Sequence, residues 1–543
     1  MIAGSTAFVK GAAILAITGL VARGIGAIFR IVLAAILGDE GIGLFMYAYP
    51  IYSTLLVLST AGIPVALSKI MAEKIALYDY REALRVFKVA FLILTLSGLA
   101  ITVIMMVGAE LFAKMIVRDM QALYPLLAIS PAIFFVTIMA ALRGFFQGQQ
   151  NMTPTAASQM LEQLVRVVFS IAMVLLLLPA GLEYAAAGAS SGAAAGGLAG
   201  FMLLAVLYKY RRRNLQDLAL QQKSHHPARI QTIISRLFRL AIPVTVGGLI
   251  IPLISLIDLA VVPRQLQAAG FDLETGRALY GQLTGMASPI VYFPNVVALA
   301  LSISLVPAIS EAHTLSQELL IRHRSAIAIK LTVLFSVPAA CGLFLLAEPI
   351  TILLYNNVEA GYALAYMAWS VIPLCLYVST TGILQGLGKP ILPALNMFYG
   401  GIVKTILAWF LTAIPVLNVG GAALATVVGL TVAAAFNLLH VARNTGLRMN
   451  WRELVILPGL AVLVMAGFVV IIYNIVDNIG ASYLSPGMLN GAATFSAIIM
   501  GIIIYVLSLF LSGALSKEEL QMMPVLGRPL SSLAERLKLF RSS

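Results

Sequence analysis

The chain has 543 residues, of which 61% are hydrophobic and 10% are charged, and its formal net charge is +13. This composition excludes a soluble globular protein, because it supplies too few polar side chains to cover a water-exposed surface. Apolar runs of about 20 residues, the length that spans a bilayer as a helix, recur along the whole chain.

The apolar runs predict an all-α polytopic membrane protein with about 14 transmembrane helices. Barrel strands would alternate in polarity over about 10 residues, and these runs do not. The first run continues through two arginines without a clear cleavage site, so we predict a retained helix and no signal peptide. The approximate spans are 12–37, 43–67, 87–109, 122–142, 155–180, 185–208, 240–262, 283–309, 329–347, 363–385, 393–416, 420–441, 453–474 and 490–512.

The basic residues predict how these helices are oriented. Of the 35 Lys and Arg residues, four lie within predicted helices and 27, Arg143 among them, fall in cytoplasmic segments. The remaining four lie in outer loops: Lys114, Arg118, Arg264 and Arg277. By the positive-inside rule, both termini are then cytoplasmic. We attribute the high positive charge to contacts of the cytoplasmic loops with anionic lipids, so it indicates no nucleic-acid partner.

Polar segments divide the predicted helices into an N-lobe, a linker, a C-lobe and two additional helices. The longest polar segment is a basic linker, 209–239, between the sixth and seventh helices. It separates the N-lobe, 1–208, from the C-lobe, 240–441, which is followed by two helices within 442–512. The tail 513–543 has leucines spaced for one face, which predicts an amphipathic helix on the cytoplasmic surface.

The two lobes share short sequence matches, which predict an internal repeat. GFFQGQQ in the first lobe matches GILQGLG 238 residues later, so Gly144 pairs with Gly382 and, at the same offset, Arg166 pairs with Lys404. A weaker match aligns YAYP with VYFP and pairs Pro64 with Pro307. Six helices separate the copies, so we predict parallel repeats, as in transporters whose two halves rock against each other.

Four cations within the predicted helices are the candidate binding residues, because a charge in the hydrocarbon normally faces a partner or a substrate path. Arg23, Arg166 and Lys404 lie about 11 residues into their helices, roughly 16 Å and close to the midplane. Arg30 is nearer the outer end, where it can reach the interface. In the first helix the spacing of Gly19, Arg23, Gly26 and Arg30 places them on one face.

Plainer interpretations of these charges stay open. Glu162 lies one turn before Arg166, so the two can form an internal ion pair that never contacts a substrate. Lys404 has Gly400 and Gly401 beneath it and no acidic neighbour at helical spacing, which favours a cavity position. Asp258 in the seventh helix is either a coupling site for a cation or proton or a simple partner for a basic residue.

Several chemistries are excluded or not indicated. QGLGKP lacks the upstream glycine and the following Ser or Thr of a phosphate loop. The histidines have no metal-ligand spacing, and no cytoplasmic segment is long enough for a nucleotide-binding domain. Cys341 and Cys375 lie in apolar runs and are read as packing residues. We therefore predict no cofactor, no metal and no enzymatic activity, and favour a secondary transporter or flippase.

Six stretches carry a family resemblance: ARGIGAIFRIVLAAILGDEGIGLFMYAYP, GIPVALSKIMAE, LRGFFQGQQNMTPTAASQMLEQLVR, GLEYAAAGA, SLVPAISE and PVLGRPL. Together they closely resemble the polysaccharide-transporter branch of the multidrug/oligosaccharidyl-lipid/polysaccharide (MOP) exporter superfamily, over nearly the full chain. The resemblance implies a MATE-like fold, a bacterial inner-membrane location and a role in building spore cortex peptidoglycan. The family is similar to the lipid II flippases, whose two lobes enclose a cavity lined with arginines.

The resemblance places Arg23 where lipid II flippases have a cavity arginine in the first helix. Those proteins have further arginines in the second helix and upstream of the FP in the eighth. Here the corresponding stretches, IYSTLLVLSTAG and MASPIVYFP, contain none. Arg166 and Lys404 are candidates to supply the missing charge, and the cargo is lipid II or another undecaprenyl-linked saccharide.

The expected mechanism is alternating access, in which a basic site attracts the pyrophosphate of a lipid-linked saccharide and the lobes then rock outward. Cell-wall synthases are possible partners. Two alternatives remain at this stage. A cation-coupled multidrug exporter of the same superfamily would show acidic residues and aromatics at its site, and a membrane-embedded polysaccharide polymerase or ligase would need a large outer loop.

Overall fold

The computed structural model describes residues 2–221, 228–447 and 452–512, except for the side chains of residues 2–13, Ala16, Arg23, Asn214 and Glu453. Within these ranges the chain is helical and contains no strand. The helices up to residue 281 are α1 Ile2–Thr60, α2 Ile63–Ala76, α3 Tyr80–Phe112, α4 Leu123–Gly148, α5 Thr153–Leu177, α6 Leu182–Leu220, α7 Ile230–Ala268 and α8 Leu273–Gly281. The later helices are α9 Ser288–Tyr292, α10 Asn295–Thr314, α11 Glu318–Leu345, α12 Ala347–Tyr355, α13 Ala360–Ala368, α14 Val371–Gly386, α15 Ile391–Leu411, α16 Asn418–Thr445, α17 Leu457–Gly480 and α18 Pro486–Ser512.

The described residues contain 12 helices long and apolar enough to cross a membrane, or 13 when the bent pair α13 and α14 is counted as one span. The sequence predicted about 14, and the difference lies at the start of the chain. The stretch Ile17–Ala76 is one continuous candidate of 60 residues, about 90 Å of helix against a hydrocarbon core of about 30 Å. Gly38 breaks it with φ 70° and ψ −176°, so the predicted spans 12–37 and 43–67 lie on either side of this glycine.

The eighth predicted span, 283–309, is interrupted. Residues Gln282–Ala287 form a π-helical segment, the short helix α9 follows, and α10 begins only at Asn295. Pro289 and Pro294 lie at these breaks, where a proline removes a backbone donor and limits the preceding residue. The part of this span that is long enough to cross a membrane is therefore Asn295–Thr314.

The chain folds as two compact units, each with its own core. The first holds the described residues up to Arg264 together with Asp272–Gly281, and the second holds Gln265–Phe271 and the described residues from Gln282 onward. Leu67, Phe87 and Phe145 are central to the first core, and Ile309, Ile329 and Leu384 to the second.

The boundaries of these units differ from those of the lobes predicted from the sequence. Most of the predicted linker 209–239 is helical, since α6 runs to Leu220 and α7 begins at Ile230. Helix α7 packs with the first unit as far as Arg264, although 240–262 was assigned to the C-lobe. The predicted amphipathic tail 513–543 lies outside the described residues.

Glycine contacts repeat between the two units. A Cβ placed on Gly144 would lie 2.9 Å from the carbonyl oxygen of Pro64, and a Cβ on Gly382 would lie 2.8 Å from that of Ser302. The residue numbers of both members differ by 238, the offset read from the sequence. The predicted repeat is thus in register, but Pro64 corresponds to Ser302 and not to Pro307, which corrects the weaker sequence match.

Arg277 on α8 links two other parts of the first unit through its side chain. Its guanidinium donates to Asp119, between α3 and α4, and to Glu40 at 2.7 Å, just after the break at Gly38. Its side chain is 8% exposed and that of Asp119 is 4% exposed. Burial by itself lowers the pKa of Arg277, but the hydrogen bonds and charges of the two carboxylates outweigh this effect, so the pKa is raised.

Candidate functional site

Two arginines share one carboxylate in the first unit. Glu162 and Arg166 lie one turn apart on α5, so they face the same side, and Arg143 reaches them from α4. Arg143 Nη2 donates to Glu162 Oε2 at 2.9 Å, and Arg166 Nη2 donates to Glu162 Oε1 at 2.6 Å. The three side chains are 18%, 13% and 20% exposed, in the order Arg143, Glu162, Arg166. We call these residues the arginine cluster.

The arginine cluster carries a net positive charge, because arginine stays protonated in proteins and one carboxylate balances only one of the two guanidinium groups. The sequence identified the pair Arg166–Glu162 as a possible neutral ion pair. Arg143 was missed because it was placed just beyond the fourth predicted span, whereas α4 continues to Gly148. The apolar residues on both sides of Arg143 in ALRGFF were the signal that it belongs to the helix.

Polar groups next to the arginine cluster fix one arginine and leave a donor on the other. Arg143 Nε donates to Ser158 Oγ at 3.0 Å, and this hydroxyl donates to the carbonyl of Thr155 at 2.8 Å. In contrast, the buried Nε of Arg166 has no hydrogen-bond partner among the described residues. A buried donor without a partner costs about 1–3 kcal/mol, so it is a position from which an anionic ligand gains binding energy.

Helix α1 lies alongside α5 at this level. A Cβ on Gly26 would lie 3.2 Å from Gln163 Nε2, so the glycine face predicted for the first helix is directed at the helix that carries Arg166. Arg23 precedes Gly26 by three residues on the same helix, but its side chain is outside those that the structure describes. Its role as a binding residue stays a prediction.

Aromatic side chains connect Arg30 with the arginine cluster. The guanidinium carbon of Arg30 lies 5.4 Å from the ring centre of Tyr49, a cation–π distance. The rings of Tyr49 and Tyr52 are 5.9 Å apart, and the buried Tyr52 interacts electrostatically with both Arg166 and Glu162. The structure therefore brings Arg30, Glu162 and Arg166 into one region of the first unit, through two tyrosines that the sequence did not single out.

Lys404 occupies the corresponding position in the second unit. A Cβ on Gly429 would lie 2.6 Å from Lys404 Cβ and 2.7 Å from the carbonyl oxygen of Gly400. In the first unit, a Cβ on Gly196 would likewise lie 3.1 Å from Arg166 Cβ and 2.5 Å from the carbonyl oxygen of Glu162. Arg166 and Lys404, which the sequence repeat predicts to be equivalent, thus have matching glycine contacts in their own units. Lys404 lies seven residues before the end of α15 at Leu411, which is nearer that end than the sequence predicted.

Asp258 lies elsewhere in the first unit. It interacts electrostatically with Tyr280, whose ring centre is 5.1 Å from that of Tyr47. Its predicted coupling or charge-balancing role stays a prediction. In the parts of the chain that the structure describes, no three His, Cys, Asp or Glu side chains are arranged to hold a metal ion.

The region that contains the arginine cluster also matches a known family. A family model described as "Polysaccharide biosynthesis protein" matches residues 8–313, more than half of the chain. The chain belongs to the polysaccharide biosynthesis protein family. Stage V sporulation protein B of Bacillus subtilis (strain 168) is 30% identical over 524 residues, which cover 96% of this family member and 98% of that relative. Lipid II flippase MurJ of the same organism is 26% identical and covers 81% of this chain and 84% of its own.

Solved structures show that this polysaccharide biosynthesis protein has the MOP fold. The inward closed conformation of lipid II flippase MurJ superposes with a TM-score of 0.67 at 15% identity, over 91% of this chain and 97% of that one. An inward-facing multidrug resistance MATE family transporter of the MOP superfamily superposes with a TM-score of 0.66 at 16% identity, over 78% and 94%. Together with the relatives named above, the apolar helices make the family member a multi-pass protein of the bacterial inner membrane and a flippase-like transporter rather than an enzyme.

Proposed function

We propose that this protein moves an undecaprenyl-pyrophosphate-linked saccharide, either lipid II or a related peptidoglycan precursor, across the cytoplasmic membrane. The observation that carries the proposal is the arginine cluster, which holds a net positive charge inside a bundle of apolar helices. A pyrophosphate suits arginines, because guanidinium groups match its oxygens in charge and geometry. The similarity to Lipid II flippase MurJ supports a lipid-linked saccharide as the cargo.

The mechanism we propose is alternating access. Glu162 and Arg143 lie nine and five residues from the ends of α5 and α4 that are predicted to be cytoplasmic, about 14 Å and 8 Å along the helices. A pyrophosphate entering from the cytoplasm meets Arg166 there, with Arg23 nearer the cytoplasmic end of α1 and Arg30 further along that helix. Lys404 supplies the equivalent charge in the second unit. The two units then rock against each other while the lipid tail stays in the bilayer.

The similarity to Stage V sporulation protein B supports spore cortex peptidoglycan as the product that this transport serves. Contacts of the basic cytoplasmic segments with anionic lipids, and of the protein with cell-wall synthases, belong to the same proposal. The lipid contacts are inferred from the positive charge of these segments, and the synthase contacts from the proposed cargo.

One observation favours a second candidate function. Asp258 interacts electrostatically with Tyr280, and an acidic group together with an aromatic residue is what a cation-coupled exporter of lipophilic cations would require. The two candidates differ in the sign of the cargo, so one experiment separates them.

The test is transport by the purified full-length protein in liposomes. Fluorescent lipid II, a second undecaprenyl-pyrophosphate saccharide and ethidium are offered in parallel. We expect movement of at least one anionic lipid, and a loss of about tenfold to hundredfold for Arg166→Ala and Arg23→Ala, because each removes hydrogen bonds to a charged group. Lys114→Ala is the matched control, since Lys114 is exposed and, among the described residues, forms an ion pair with Glu110 one turn before it.

Two results would overturn these claims separately. If neither lipid moves, the assigned cargo is wrong, and ethidium transport in its place would establish the cation exporter. If lipid moves equally well with Arg23→Ala and Arg166→Ala, the arginines are not its binding residues.

A further inference from the structure

We propose that Arg143 is a positioning residue, which takes one oxygen of Glu162 and so keeps Arg166 able to bind a phosphate group. The inference rests on the proposed function, in that the phosphate is taken to be part of the cargo. It adds a residue that the sequence did not single out, and it gives Glu162 a defined part in the same site.

The two oxygens of Glu162 are divided between the two arginines. An arginine that faces a lone carboxylate commonly binds both oxygens through two parallel hydrogen bonds. Here Oε2 of Glu162 accepts from Arg143, and only Oε1 accepts from Arg166. Arg143 therefore prevents Glu162 from occupying both donor positions of Arg166.

The two guanidinium groups are held differently by the protein. Arg143 is fixed at a second point by Ser158, a residue with no exposed surface. Among the described residues Arg166 has no such second hydrogen bond, and its buried Nε lacks a partner. The buried donor that remains for a ligand oxygen thus belongs to Arg166, while Arg143 is held at two points by the protein.

The second unit has neither the glutamate nor the second arginine at the equivalent positions. At the offset of 238, Arg143 corresponds to Thr381, Glu162 to Gly400 and Arg166 to Lys404. The acid and its second arginine are both replaced by uncharged residues, so these three positions carry a net charge of +1 in either unit. Thr381 instead donates to the carbonyl of Tyr377 at 2.7 Å and contacts Asn437. An arginine at position 143 is present where a glutamate must be balanced, and absent where there is none.

The test measures binding of inorganic pyrophosphate to the purified full-length protein by calorimetry, together with lipid transport in liposomes. Arg143→Gln leaves Glu162 and Arg166 as a neutral pair, so we expect pyrophosphate affinity to fall about tenfold or more. Adding Glu162→Gln restores the net charge and frees Arg166, so the double variant should recover most of the lost affinity. Arg166→Gln should also weaken binding, and Glu162→Gln should not rescue it.

Further variants keep the result interpretable. Arg143→Lys retains the charge next to Glu162 and should bind pyrophosphate nearly as well as the wild type. Arg236→Gln removes an arginine from an exposed pair with Glu73 and should change nothing. If Arg143→Gln fails to fold, Glu162→Gln alone still decides, because it raises the net charge of the arginine cluster and should tighten binding.

The inference is overturned if wild type binds no pyrophosphate, if Arg143→Gln binds it like wild type, or if Glu162→Gln gives no recovery in the folded double variant. The proposed function fails separately. Wild-type protein that moves no lipid but shows the expected pyrophosphate pattern contradicts the cargo alone. Lipid transport that is equal in wild type and Arg143→Gln, with equal pyrophosphate affinity, contradicts the positioning role alone.

Discussion

Glu162 accepts hydrogen bonds from two arginines on different helices, and only the nearer one can be read from the sequence. Arg166 lies four residues away, at helical spacing, but Arg143 is 19 residues away and meets Glu162 through the packing of α4 against α5. The same holds for Arg277, whose partner Asp119 is 158 residues distant. Arg277 was read as one of four basic residues of the outer loops, yet its side chain is buried.

At the residue scale we expect Arg277→Ala to be strongly destabilising. It would leave Asp119 as a buried carboxylate without its arginine, and breaking a buried pair costs about 3–5 kcal/mol. The measurement is the free energy of unfolding in mixed micelles at increasing SDS. Arg236→Ala is the control, because the pair Arg236–Glu73 is 47% and 39% exposed and exposed pairs contribute about 0–1 kcal/mol. Similar losses for the two variants would contradict the structural role of Arg277.

At the scale of helices, close contacts at glycines set the register that the two units share. Gly144 packs against Pro64, and Gly382 packs against Ser302. In both cases the residue of the second unit follows its equivalent in the first by 238 positions. This close packing places α4 beside α2 and α14 beside α10. In the first unit it also fixes α4 in the position from which Arg143 reaches Glu162.

The register makes Gly382 intolerant of a side chain. A Cβ there would lie 2.5 Å from Ser302 Oγ and 2.9 Å from Ser302 Cα, so we expect Gly382→Ala to destabilise by about 1–3 kcal/mol through overpacking. Gly342 in α11 is the matched control, because a Cβ there meets no heavy atom within 4 Å. Gly342→Ala should be neutral or stabilising by up to about 1 kcal/mol. Thermal unfolding in detergent compares the two, and equal melting temperatures would contradict the packing argument.

At the scale of the whole molecule, the fold is that of a MOP transporter and the family is that of polysaccharide biosynthesis proteins. Many transporters share this fold, so the fold alone does not define the cargo. In this chain the charge at two equivalent helix positions, Arg166 and Lys404, is basic in both units. The anionic, lipid-linked cargo that we propose fits that charge, and the similarity to Stage V sporulation protein B supports the proposed role in sporulation.

The proposed cortex role predicts complementation. Expression of this protein in Bacillus subtilis that lacks Stage V sporulation protein B should restore heat-resistant spores, counted after heating, whereas Arg166→Gln should not restore them. Immunoblots of membrane fractions serve as the control for equal amounts of both forms. Wild-type protein that is present in the membrane without restoring any heat-resistant spores would contradict a role in cortex synthesis.

The amino-acid sequence by itself determined the membrane class, the all-helical fold, the repeat with its offset of 238, and the proximity of Arg166 to Glu162. These features depend on composition and on spacing along one helix, where neighbours are set by the geometry of the helix itself. Only the tertiary structure decided that Arg143 joins that pair, that α7 packs with the first unit, and that Arg277 is buried between Asp119 and Glu40. Each of these depends on which helices pack together, and contacts between residues far apart in the chain leave no periodic trace in the sequence.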